Sequence, residues 1–254
     1  MFWSKPKLPV TQKDKEWIES TLLWLLDEFG SEFFLKQTVI LPESCFFPDK
    51  FHGTIECVCK ITDRICTYMH TDSNLVEIDL FSEEDDLARD HRLGGSESNG
   101  AAGLYFHKPS PDRRHRIAIN TSQLNNPTRL VATISHELGH VILLGGNRIS
   151  PDFKSHEYLT DLLTVFHGMG VFTANAVIDF SQWQDNTHQG WSISRQGYMT
   201  EEMFGYALAS CAWLRGDTKA EWQKHLSTNA RAYFKSSLKY LSTGGETTLK
   251  QIGL

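Results

Sequence analysis

The stretch of sequence that decides the fold is NPTRLVATISHELGHVILLGG, residues 126–146. It opens with Asn126-Pro127, a side chain that caps a helix followed by a proline at the first helical position. Apolar residues then recur at helical spacing as far as Leu144, and Gly145-Gly146 ends the run. The stretch therefore predicts one helix over residues 127–144.

Two histidines and a glutamate lie in the middle of this largely apolar helix. His136 and His140 are four residues apart and lie on one face, so both imidazoles can reach one ion about 2 Å away. Glu137 lies about 100° around the helix from His136, away from the ion but close to a water that the ion activates. Burying such groups is costly without a shared purpose. We predict that His136 and His140 bind zinc and that Glu137 is a general base.

A tetrahedral zinc site needs a third protein ligand and keeps the fourth position for water. Position 146 is glycine, which excludes an extended motif with a third histidine there. Downstream, Glu157 and Asp161 are four residues apart and share a helix face. One of them can bind zinc while the other holds a ligand histidine through its second ring nitrogen. His156 and Asp152 are alternative ligands.

The His-Glu-x-x-His helix is the signature of zincin metallopeptidases. Its pairing with HEYLTD, residues 156–161, resembles the gluzincins, the thermolysin-like group. In that group, the zinc helix is followed by a helix bearing an Asn-Glu-x-x-Ser-Asp motif. The resemblance implies one zinc per chain, with Glu157 as third ligand and Asp161 as support for a ligand histidine.

The resemblance covers residues 115–165 and does not extend to the first 100 residues. His156 and Thr160 stand where the group has asparagine and serine. The gap between His140 and Glu157 is also shorter than in thermolysin. The resemblance therefore indicates a zincin without identifying a particular family.

The expected activity is peptide-bond hydrolysis by a zinc-activated water. Glu137 takes a proton from the water and later delivers it to the leaving amine. The resemblance also implies that the strand predicted over 115–120 is the edge of a sheet. An extended peptide substrate would then pair with that edge by strand addition.

The transition state also needs a hydrogen-bond donor for the developing oxyanion. Gluzincins take such donors from the chain after the zinc helices. The candidates there are His167, His188, Arg195, Tyr198 and Tyr206. Arg195 and Tyr198 are favoured, because residues 183–199 have the composition of a loop and loops often carry sites.

Two other functions remain open. The chain is alternatively a binding or regulatory protein of zincin fold, in which zinc is structural or the site is occluded. Glu137 argues against this hypothesis, because a structural zinc site has no use for a base. A zinc hydrolase of non-peptide amides is a further alternative.

The remaining sequence predicts an α+β fold, in which a small mixed sheet precedes the active-site helices and a helical C-terminal part. Predicted helices cover residues 12–29, 53–69, 155–168, 200–214 and 219–241, the last with Thr218 and Glu221 as a capping box. Predicted strands cover 37–41, 75–81, 102–107 and 115–120. We divide the chain into an N-terminal α/β part (1–101), a zincin catalytic core (102–170) and a helical part (171–254). The first part ends in an acidic, Gly/Ser-rich loop over 82–101, which we expect to be mobile.

Composition narrows the classes of partner. The net charge of −6 argues against a nucleic-acid binder. Five cysteines, an odd number, argue against a disulfide framework. No window offers the run of about 18 apolar residues that spans a membrane, and Met1–Val10 lacks the apolar core of a signal peptide. We expect a cytoplasmic protein whose partner is a peptide or protein substrate, and the sequence does not indicate an oligomeric state.

Overall fold

The computed structural model of the chain describes residues 7–82, 102–106, 114–185, 198–217 and 219–252, with backbone only for 178–185. The helices in this part are α1 (Gln12–Phe29), α2 (Ser31–Lys36), α3 (Ile55–Tyr68), α4 (Pro127–His140), α5 (His156–Phe166), α6 (Gly170–Asp185), α7 (Glu201–Leu214) and α8 (Thr228–Ser242). The strands are β1 (Val76–Phe81), β2 (Gly103–Phe106) and β3 (His115–Asn120). The predicted loop over 82–101 lies outside the described residues, apart from Ser82.

The three strands form a mixed sheet in the order β1-β3-β2. β1 runs parallel to β3, with Ile78 opposite Ile117, and β2 runs antiparallel to β3, with Leu104 opposite Ala118. The described fold is thus α+β with a small mixed sheet, as predicted. The prediction that residues 115–120 form the sheet edge is wrong, because β3 has a hydrogen-bonded neighbour on each side. Alternation of apolar residues indicates a strand but not its neighbours.

The two faces of the sheet carry different sets of side chains, as the twofold period of a strand requires. Phe81, Phe106 and Ala118 form a buried cluster with Leu104 on one face. Gly103 and Tyr105 alternate with these residues on β2 and therefore lie on the other face. That face is turned toward α4, since Gly103 lies against α4 side chains.

The chain divides into two compact units that interleave in sequence. One comprises Met1–Leu41, Glu157–Val177 and Gly197–Leu254, and the other comprises Pro42–His156 and Ile178–Gln196. One boundary falls between His156 and Glu157, within the first turn of α5. The contiguous three-part division made from the sequence stays a prediction.

Two predicted elements differ in the structure. Residues 37–41 belong to no strand of the described sheet, and Ile40 instead donates one backbone hydrogen bond to Gly168 (2.9 Å). The predicted helix over 219–241 begins only at Thr228, with Ser227 as its cap, after a separate 3-10 turn over Glu221–His225. The predicted cap Thr218 lies outside the described residues.

Other features agree with or add to the sequence analysis. The strands and helices predicted around residues 53–81 and 102–168 are present within a few residues, whereas α2 and α6 had not been identified. All five cysteines are free. Every helix in the described part of the chain is too short or too polar to cross a lipid bilayer.

Candidate metal centre

Helix α4 begins with a capping side chain and a proline. The side chain of Asn126 accepts a hydrogen bond from the Arg129 N–H (3.1 Å), and Pro127 occupies the first turn. Every residue from Leu130 to His140 is buried. The α-helix ends at His140 and continues as a single wide π-helical turn over Val141–Gly145. Such turns are frequent at functional sites, because they displace the side chains beside them.

The two histidines of α4 face each other. Their ring centroids lie 4.9 Å apart and the rings are nearly perpendicular. His136 is 8%, Glu137 7% and His140 6% exposed. Burying three such groups on adjoining turns of an apolar helix is costly unless they share hydrogen bonds or a cation.

Glu157, near the start of α5, lies close to the two histidines. Each of His136, His140 and Glu157 offers one ligand atom, and these atoms all lie within 4.8 Å of one another. We call these three residues the metal group. Of the alternative ligands, His156 has its ring centroid 5.6 Å from that of His140. Neither His156 nor Asp152 nor Asp161 is a member of a comparable group among the described residues.

The metal group fits zinc by its chemistry and its dimensions. Two imidazoles and one carboxylate are the ligand set of a catalytic zinc site, which leaves a fourth position open. A tetrahedral zinc with bonds of about 2.1 Å holds its ligand atoms about 3.4 Å apart. The spacing of up to 4.8 Å therefore requires at most a small inward movement of side chains.

Strand β2 passes directly over Glu137. A Cβ atom placed on Gly103 would lie 2.8 Å from Glu137 Oε1 and 2.8 Å from Thr133 Cγ2. Only a residue without a side chain permits this approach between backbone and carboxylate. Gly103 was not among the residues predicted from the sequence, although a glycine inside a strand is a signal of close approach.

A stack of three rings supports His140 from the side of the sheet. The ring of Tyr105 on β2 lies 5.8 Å from that of His140, nearly parallel to it, and 5.8 Å from that of His115 on β3. The Tyr105 hydroxyl and His115 Nδ1 are hydrogen-bonded at 3.1 Å. Burial raises the pKa of Tyr105 above its ordinary value. This stack was not predicted from the sequence, because its members come from three separate elements.

The stack is closed by the π-helical turn that follows α4. A Cβ atom on Gly145 would lie 2.6 Å from Cε1 of His115. The glycine that the sequence assigned to helix termination therefore also admits the His115 ring.

Asp161 lies one turn after Glu157 on α5 and is 5% exposed. Its Oδ2 accepts a hydrogen bond from the backbone N–H of Met199 (2.9 Å). The segment before α7 is thereby fixed to α5, and Tyr198, which is 42% exposed, precedes the fixed residue. That Asp161 also supports a ligand histidine stays a prediction.

The structure describes two of the other candidate oxyanion donors, His167 and Tyr206. His167 is buried, and its ring packs against those of Phe29 and Phe33. Tyr206 is fully buried and its hydroxyl donates to Glu19 (2.6 Å). Both are thus interior residues. Arg195 and His188 lie outside the described residues, and Tyr198 is the one described candidate that is exposed to solvent.

Comparison with known proteins gives no relative. No protein-family model matches the chain, no curated protein matches its sequence, and no solved structure matches its fold. The zincin resemblance therefore rests on the motif residues and on their arrangement in space.

Proposed function

We propose that this protein is a zinc-dependent peptidase. The observation that carries the proposal is the metal group itself, which brings His136, His140 and Glu157 together beside Glu137. Sequence spacing alone places the two histidines on one face, but Glu157 is separated from them by a loop and a turn. A His-His-Glu ligand set next to a further buried carboxylate is suited to hydrolysis.

Zinc bound by this group would polarise a carbonyl oxygen and lower the pKa of a water to about 7. Glu137 would accept a proton from that water and donate it to the leaving nitrogen. Its position on the histidine helix, against Gly103 of β2, would restrict the movement of its carboxylate. Tyr198 is the proposed donor to the developing oxyanion, because the Asp161 hydrogen bond ties its neighbour Met199 to the helix that carries Glu157.

The substrate site follows from the position of β2. The sequence-based assignment of peptide binding to residues 115–120 is replaced, since β3 is central and β2 is an outer strand of the described sheet. The Asn120 N–H donates to the Ala102 carbonyl (2.9 Å). Hydrogen-bonding direction alternates along an antiparallel strand, so Gly103 directs its backbone groups away from β3.

An extended peptide that pairs with Gly103 would run along this side of β2. Strand addition provides main-chain hydrogen bonds without requiring a particular substrate sequence. Because Gly103 lies against Glu137, the paired segment would pass close to the general base. An extended polypeptide is therefore the substrate class that this arrangement favours over a compact amide.

The first experiment measures metal binding. Zinc content by elemental analysis is expected to be one per chain in the wild type and in Glu137→Gln, and to be lost in Glu157→Ala. His156→Ala is the matched control, since His156 is the adjacent residue and lies outside the metal group. Loss of zinc in His156→Ala with retention in Glu157→Ala would overturn the ligand assignment.

The second experiment measures cleavage of a diverse peptide library. Wild type and His156→Ala are expected to cleave, whereas Glu137→Gln retains zinc and does not cleave. Folded protein that binds zinc but cleaves no peptide or protein substrate would contradict the peptidase and favour the binding-protein alternative. Folded protein that binds no metal would refute the proposal altogether.

A further inference from the structure

Leu104 is the residue of β2 that follows Gly103, and successive side chains of a strand point to opposite faces of the sheet. Gly103 lies against α4, whereas Leu104 packs on the other face against Phe81, Phe106 and Ala118. These three residues are at most 8% exposed, but Leu104 is only partly buried. Part of an apolar side chain therefore stays accessible on an outer strand of the described sheet.

The backbone of Leu104 is directed toward β3, while that of Gly103 is directed away from it. The hydrogen bond from Asn120 to Ala102 fixes this alternation, because every second residue of an antiparallel strand faces the same neighbour. Leu104 lies opposite Ala118 in the register of the pair. A strand added outside β2 would thus bond to the backbone of Gly103 and meet Leu104 through side chains alone.

The position of an added peptide follows from strand geometry. Its residue opposite Gly103 would direct its side chain toward α4 and Glu137, and the next residue would direct its side chain to the other face, beside Leu104. Directly opposite side chains on antiparallel strands have Cβ atoms about 4.5–5.5 Å apart, which is close enough for contact. The residue beside Leu104 is therefore adjacent in sequence to the one nearest the general base.

The face that carries Leu104 also carries an ion pair on the two other strands. Arg116 of β3 donates to Asp79 of β1, and its guanidinium lies over the ring of Phe106, 5.4 Å from the centroid. These contacts engage both charges within the sheet. A charged peptide side chain beside Leu104 would lose water without gaining a partner, whereas an apolar one would cover the leucine.

We propose that Leu104 determines substrate specificity by forming an apolar subsite for the residue next to the one opposite Gly103. This inference rests on the proposed binding of an extended peptide along β2. Branched and aromatic apolar residues are expected to be preferred, because they fit a half-buried pleated surface. The subsite lies on the face turned away from α4, so it selects the substrate without touching the reacting atoms.

The test profiles cleavage of the peptide library by zinc-loaded wild type and Leu104 variants. In wild type, branched or aromatic apolar residues should be favoured over alanine about two- to fivefold at one position close to the cleaved bond, as expected for a cross-strand pair. Leu104→Ala should remove this preference, and Leu104→Glu should replace it with lysine or arginine. Leu75→Ala is the matched control, because Leu75 is 46% exposed and precedes β1 on the other side of the sheet.

A second measurement follows binding instead of cleavage. Zinc-loaded Glu137→Gln would select peptides from a displayed library, and their apolar position should be lost when Leu104→Ala is added. The methyl resonances of Leu104, assigned with the conservative Leu104→Ile, should shift when a selected peptide is titrated into Glu137→Gln. This shift decides the matter even if Leu104→Ala and Leu104→Glu do not fold.

The outcomes separate the subsite from the peptidase. A wild-type profile without an apolar position, an equal preference in folded Leu104→Ala, or unshifted Leu104 methyl resonances would overturn the inference, while cleavage that depends on Glu137 would keep the peptidase. Selected peptides whose apolar position depends on Leu104, but which are never cleaved, would keep the subsite and contradict the peptidase. Failure to select any peptide would overturn the subsite.

Discussion

Replacing Gly103 with alanine tests the arrangement of β2 over the general base. The new Cβ would lie 2.8 Å from Glu137 Oε1, 3.0 Å from Glu137 Cγ and 2.8 Å from Thr133 Cγ2. Thr133 is restrained, because its hydroxyl donates to Gln123 Oε1 (3.3 Å). The Glu137 carboxylate lies at the end of a flexible side chain, so we expect it to be displaced the most.

The size of the displacement sets the expected effect. A carbon and an oxygen separate to about 3.3 Å when they are not bonded, so the carboxylate shifts by roughly half an ångström. Catalytic groups must be held to within about 0.5 Å, and a misplacement of about 1 Å lowers rates about 100-fold. We expect kcat/KM to fall about 10- to 100-fold, mainly through kcat, with about 1–3 kcal/mol of destabilisation from overpacking.

The assay is steady-state cleavage of a peptide selected from the library, together with zinc content and thermal unfolding. Gly170→Ala is the matched control, because its Cβ would lie 2.9 Å from Leu208 Cδ2 and 3.0 Å from Val165 Cγ2, not against Glu137. This variant should be similarly overpacked and retain kcat. A folded, zinc-loaded Gly103→Ala with wild-type kcat would show that β2 does not constrain an active base.

Three further changes test the surroundings of the site and of the core. Tyr105→Leu removes the ring beside His140 and should lower zinc affinity about tenfold, as removal of outer-shell support does, measured by competition with a chelator. Asp161→Ala leaves the Met199 N–H without its acceptor and should cost about 1–3 kcal/mol, measured by urea unfolding. Glu19→Gln weakens four hydrogen bonds and the contact with buried Lys15, and should cost about 3 kcal/mol at pH 7.

The Glu19 prediction includes a pH dependence. Burial raises the pKa of this carboxyl, but hydrogen bonds from Thr248, Tyr206 and Thr247 outweigh it and leave the pKa below its ordinary value of 4.5. The charged form is thus favoured in the folded state, and its contribution is present above pH 4.5. It is lost as pH falls through the lowered folded pKa, and Glu19→Gln should lack this acid dependence.

Each of these predictions has a contrary outcome. Unchanged zinc affinity in Tyr105→Leu would show that the ring stack does not support His140. Wild-type stability of Asp161→Ala would mean that its hydrogen bond to Met199 contributes nothing measurable. Equal acid sensitivity of wild type and Glu19→Gln, followed by urea unfolding between pH 3 and 7, would assign that sensitivity to other carboxyl groups.

The sequence alone was sufficient wherever the determining interactions are local. Asn126 caps α4 through its own neighbour Arg129, and a spacing of four residues places His136 and His140 on one face. The strand over 76–81 and the helix over 55–68 also follow from their own periodicity. These signals need no knowledge of the remaining chain, because the partners are separated by only a few residues.

Tertiary contacts determine the features that the local sequence pattern does not predict. Residues 37–41 have the residue types of a short strand, yet the Ile40 N–H donates to the Gly168 carbonyl rather than to a strand of the sheet. The start of α8 is displaced to Thr228 because the side chain of Asn175 bonds the chain on both sides, donating to His225 and accepting from Ser227.

In the candidate site, too, some residues follow from the sequence and others only from the tertiary structure. The sequence supplied His136, Glu137 and His140 from one helix, and the resemblance added Glu157 as an expectation. Only the folded chain places Glu157 within reach of both histidines, puts β3 in the centre of the sheet and brings Gly103 against Glu137. These relations join segments far apart in the chain, and they are fixed by the packing of whole elements rather than by the spacing of residues within one.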